Sequence, residues 1–69
     1  MKKKELKNLA EKFAELEYII QLNNDADEVK EAQRRIIELT GQVSMLDFEN
    51  MMILDELIQK NLSKKLDKN

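Results

Sequence analysis

Residues 44–66 read SMLDFENMMILDELIQKNLSKKL, and at roughly 100° per residue their apolar positions run most of the way round a helix. With Leu46 as origin, Ile53 and Leu57 fall beside it, and Leu54, Ile58, Met51 and Leu62 fill the next quadrant. Phe48, Leu66 and Met52 carry the apolar arc on to about 240°. Glu49, Glu56, Lys60 and Ser63 form the polar strip that is left. A helix this broadly apolar needs cover on more than one side, from the chain's own helices or from another chain. Two neighbouring helices shield about 150° of it, leaving roughly a quarter-turn in want of a partner.

Working back from this segment, Gly41 stands just past the last periodic position of a second helix, where a residue of positive φ commonly ends a helix. That helix is expected over residues 25–40. Ala26, Val29, Ala32, Gln33, Ile36 and Leu39 line one side, and Ile37 widens it. Ser44 followed by Asp47 resembles a capping box and sets the third helix at residues 45–66. Asn23, Asn24 and Asp25 form the strongest turn signal, with Asn24 or Asp25 as N-cap and Asp27 and Glu28 in the first turn, where the helix dipole favours acids. The first helix is expected over residues 3–22. Its seam of Leu6, Leu9, Phe13, Leu16 and Ile20 is spaced 3, 4, 3, 4, and Ala10 beside it lets a neighbour approach closely. Tyr18, Ile19 and Leu22 lie off that seam.

With no proline and a single glycine, nothing but local turn chemistry interrupts the helical pattern. The expected fold is all-α, a small three-helix bundle forming one domain over residues 1–69, up-down-up because short connections make consecutive helices antiparallel. The middle helix, at about 22 Å against about 30 Å for its neighbours, would leave the start of the first helix and the end of the third overhanging.

A chain of 69 residues buries only about 60 % of the surface its unfolded form exposes, so a small core needs reinforcement. It has no cysteine for a disulfide, and with no histidine either it lacks the usual zinc ligands. Self-association through the third helix is the remaining common remedy. The same composition argues against an enzyme. Ser44 and Ser63 have no histidine to activate them, and no phosphate-binding glycine loop is present. The acids Asp25, Asp27, Glu28 and Glu31 lack the glycine and terminal glutamate of an EF-hand loop and read as a solvated helix start. No cofactor or metal is expected.

Net charge is −2, with basic ends and an acidic middle. MKKKELKNLA opens like a signal peptide but continues with charge where an apolar run is required. Met51 to Leu54 is the longest apolar run, far short of the ~20 residues that span a bilayer. The expectation is a soluble chain, and absent cysteine fits the cytoplasm. A helix-turn-helix reading around Gly41 meets an electrostatic obstacle: the would-be recognition helix opens with Asp47 and Glu49 and has no base before Lys60. Arg34 and Arg35 point about 100° apart and read as surface charges.

The functional expectation is therefore a non-catalytic interaction module, a small adaptor or regulator. Its apolar face of Phe48, Met51, Met52, Leu62 and Leu66 would pack on a second copy of the chain or into another protein, since methionine suits adaptable binding surfaces. Phe48 and Met52 carry most of that expectation, while Met51 suits core and interface equally. Lys2, Lys3, Lys4, Lys60, Lys64 and Lys65 supply electrostatic contacts. Two alternatives stand beside it. One is a nucleic-acid-associated regulator using the basic tails; the other is a subunit of a coiled-coil assembly.

Overall fold

The structure, a computed structural model, describes residues 2–67. Met1, Lys68 and Asn69 lie outside the described residues. Three helices follow one another: α1 spans Lys3–Leu22, α2 Ala26–Val43 and α3 Phe48–Asp67. Among the described residues there is no strand.

α1 has the bounds expected from its seam, extending a few residues past Leu6 and Ile20 at either end. Asp25 caps α2, its carboxylate accepting the backbone N–H groups of Asp27 at 2.9 Å and Glu28 at 3.4 Å. Asn23 braces the turn, its side-chain oxygen accepting the Asp25 N–H at 2.8 Å and its amide donating to Glu28. These bonds satisfy donors that the first turn of a helix leaves without partners.

The α2–α3 connection differs from the sequence expectation in three linked ways. Gly41 does not end α2: its φ is not positive, and the helix runs on to Val43. A helical glycine costs about 1 kcal/mol, whereas burying a valine stabilises by roughly 1.5–3 kcal/mol, and Val43 is buried in the core. Ser44 then serves the end of α2, its hydroxyl donating to the Gly41 carbonyl at 2.8 Å. Asp47 becomes the cap of α3, accepting the Asn50 N–H on its side chain at 2.9 Å and the Met51 N–H on its carbonyl at 3.0 Å. So α3 starts at Phe48, not Met45, and Leu46 belongs to the connection. With 18 residues in α2 against 20 in each neighbour, the expected mismatch in length largely disappears.

Packing puts α1 in the middle. It meets both α2 and α3, which scarcely touch each other, and the molecule is flattened to 35 × 25 × 16 Å. Leu6, Ala10, Phe13, Val43 and Leu54 form the core, with Leu9, Ile36, Leu39, Leu46, Leu57 and Ile58 packed against them. This cluster joins the start of α1, the end of α2 and the start of α3, which fixes the up-down-up order. At the far end, Ala14, Ala32 and Leu62 are buried, small side chains letting the helices close on α1. No buried side-chain polar atom among the described residues lacks a hydrogen-bond partner.

Candidate functional site: the outer face of the third helix

The buried arc of α3 centres on Leu54, 3 % exposed, with Leu57, Ile58, Asn61 and Leu62 around it. Asn61 is half-buried and donates its amide to the Leu57 carbonyl at 2.8 Å, so its polarity is met within the helix. This arc lies about 80° round the helix from Leu46, the origin of the projection. Three consequences follow. Phe48 and Met52 stand outside at 79 % and 51 % exposed, and Met51 at 42 % joins them on the edge nearer the core. Leu66 is exposed as well, one end of the same outer stripe. Leu62, expected on that face, is only 7 % exposed and belongs to the chain's own packing.

Ile53 is the residue that sequence reasoning placed inside and the structure places outside. It sits about 100° from Leu54 on the side away from Met51. Together with Glu49, Met52 and Glu56 it lines a shallow cavity of about 430 Å³. Met45, in the connection ahead of α3, is also exposed. Ile37 was expected to widen the inner side of α2 but is 71 % exposed, because α3 leaves that flank of α2 uncovered. In its first half the face on α3 has acids alone around it: Asp47, Glu49, Asp55 and Glu56 are all exposed, and no base occurs between Arg35 and Lys60.

The lysines divide into separate groups. Lys60 and Lys64 meet Lys7, Glu11 and Asn61 around a cavity of about 290 Å³ between α1 and α3. Neither Lys7 nor Glu11 was among the candidate site residues, because only the way α1 lies on α3 brings them there. Lys65 extends instead over the Tyr18 ring, 6.0 Å from its centroid, a cation–π arrangement. Lys2, Lys3 and Lys4 are exposed at the start of α1, and because α1 and α3 run parallel they stand about 30 Å from the end of α3. Lys68 lies outside the described residues. Among the described residues no continuous basic surface joins the two ends.

On α2, Arg34 donates to Glu31 at 2.6 Å and to Glu38 at 3.3 Å, and Arg35 to Glu31 at 3.3 Å. The hydrogen bond from Arg34, aided by the positive charge, holds the Glu31 carboxyl below its usual range, and Glu31 in turn raises the Arg34 guanidinium. Both arginines are engaged by their own helix, in i,i+3 and i,i+4 pairs. Among the described residues no three acidic side chains converge on a point that would hold a metal ion, and no helix is long and apolar enough to cross a membrane.

Neither a protein-family model, nor a curated protein, nor a solved structure matches this chain.

Proposed function

We propose that the chain is a non-catalytic protein-interaction module that docks through the outer face of α3. The observation that carries this reading is the exposure of Phe48 and Met52, one turn apart on a helix whose other side, around Leu54, already fills the core. Large apolar side chains gathered on one face, rimmed by charge, mark sites of association. Phenylalanine supplies a rigid anchor and methionine an adaptable one. The total accessible surface, 5387 Å², exceeds the roughly 4,500 Å² of a compact monomer of this mass. The excess goes with the flattened shape, in which α2 and α3 scarcely touch and leave more of each helix open.

The test compares Phe48→Ser/Met52→Ser with Leu54→Ser in dilute solution, reading helicity and the fluorescence of a neutral apolar dye such as Nile red. The outer variant should keep its helicity and lose most of the dye signal, whereas Leu54→Ser should unfold. If both unfold, the face is part of the core and the docking reading is wrong.

A further inference from the structure

We infer that the occupant of this face is a basic amphipathic helix of another protein, which sets a lysine or arginine side chain between Glu49 and Glu56; the inference rests on the docking reading above and names the chemistry of the partner. The cavity on α3 is lined by Glu49, Met52, Ile53 and Glu56. These stand at i, i+3, i+4 and i+7, the diamond on a helix surface into which a facing helix inserts one side chain. The diamond lies on the side of α3 turned away from Leu54, where Met52 and Ile53 are both exposed. Across the helix its floor is apolar, and its two ends, about 10 Å apart along the axis, are carboxylates. An aliphatic side chain would cover the floor and take both carboxylates out of water without a partner. A lysine or arginine meets both demands: its methylene stem lies between Met52 and Ile53, and its charged head reaches one of the acids. Phe48, one turn before Met52 and exposed, receives an apolar residue of the same incoming helix.

Charge selects among the occupants. Asp47, Glu49, Asp55 and Glu56 are exposed with no base in the sequence around them, and among the described residues none of the four is in an ion pair. The contrast with α2 is direct, for there Glu31 and Glu38 are answered by Arg34 and Arg35. The bases that follow on α3 are turned elsewhere, Lys60 and Lys64 to the cavity beside α1 and Lys65 to the Tyr18 ring. A second copy laid over this half of α3 would set acids against acids, and nucleic acid or an anionic membrane would be repelled. A cationic helix is drawn to it, and its charge is paired once it arrives.

The experiment measures binding, by fluorescence anisotropy, of a labelled alanine-rich helical peptide of about 20 residues in which leucine and arginine alternate along one face at helical spacing. Two analogues carry glutamine or glutamate in place of every arginine. The wild type should bind the arginine peptide about tenfold more tightly than the glutamine peptide, and the glutamate peptide more weakly than either. Glu49→Gln/Glu56→Gln should keep its helicity and bind the arginine and glutamine peptides alike, because the floor remains and the carboxylates are gone. The comparison of peptides on the wild type decides the matter even if that variant fails to fold. Equal binding of the arginine and glutamine peptides by the wild type, an arginine preference that survives in Glu49→Gln/Glu56→Gln, or no binding of the arginine peptide at millimolar concentration each overturns the basic partner. So does light scattering in which the wild type alone doubles its mass and Phe48→Ser/Met52→Ser does not, since the face then belongs to a second copy. In any of these cases, a Phe48→Ser/Met52→Ser variant that folds and loses the dye signal leaves the docking face standing with a different occupant. Unfolding of that variant removes the face itself.

Discussion

α1 and α3 are equally long, 20 residues each, yet they spend their apolar side chains differently. α1 buries Leu6, Ala10, Phe13 and Ala14 and leaves only Ile19 and Leu22 exposed near its end. α3 buries Leu54 and Leu62 and leaves Phe48, Met51, Met52, Ile53 and Leu66 exposed. The cause is position. α1 lies between the other two helices and is covered from two directions, while α3 has one close neighbour. Apolar surface beyond what one neighbour covers does not stabilise the lone chain, and it is the surface that the proposed docking would use.

That contrast can be broken most sharply from the inside. Phe13→Ala should cost about 3–5 kcal/mol and Leu54→Ala about 2–5 kcal/mol, because both side chains belong to the same core cluster. Urea unfolding should therefore show the inner sides of α1 and α3 as equals. A loss below about 1 kcal/mol at Leu54 would mean that α3 is held less firmly than its packing implies.

Capping gives the next largest effect, and it separates the two helices again. α3 starts on Asp47, which accepts the Asn50 N–H, while α1 starts on Lys2, which makes no side-chain capping bond. Asp47→Ala should cost about 1 kcal/mol, and Lys2→Asp should gain about 0.5–1 kcal/mol by supplying an acceptor and removing a positive charge from a helix start. Gly41→Ala should gain about 0.5–1 kcal/mol, since Gly41 is helical and a Cβ there meets nothing within 4 Å. A loss on Gly41→Ala would show that α2 ends earlier, as its glycine first suggests.

The smallest expected effect is that of the Glu31 pair on α2, well away from the contrasted faces. Glu31 titrates below its usual range because Arg34 donates to its carboxylate. A carboxyl lowered in the folded state adds stability above the ordinary carboxylate range, and that contribution is lost as the pH falls through the folded value. Glu31→Gln should flatten slightly the fall of melting temperature between pH 5 and pH 3 and change little at neutral pH, as expected of an exposed pair.

Local signals made α1 legible: a regular seam, then a turn whose Asp25 caps the next helix. They were weaker at the second connection. Gly41 and Ser44 offered one set of boundaries and Asp47 another, and the choice was settled by Val43 reaching a core built from distant residues. On α3 the arc that α1 covers is centred on Leu54, which draws Leu62 in and leaves Ile53 out. Phe48 and Met52 were legible as outward residues because they lie on the far side of the helix from Leu57. The meeting of Lys7 with Lys60 and Lys64 has no local signal at all, since it depends on how two helices separated by the whole of α2 lie together.

The most direct measurement is the unfolding free energy of Phe48→Ser/Met52→Ser, by urea titration at a concentration low enough to keep chains apart. Two exposed side chains that belong to a docking surface should leave it within about 0.5 kcal/mol of the wild type. A loss as large as that of Phe13→Ala would show that Phe48 and Met52 hold the fold together, and that α3 has no surface to spare for a partner.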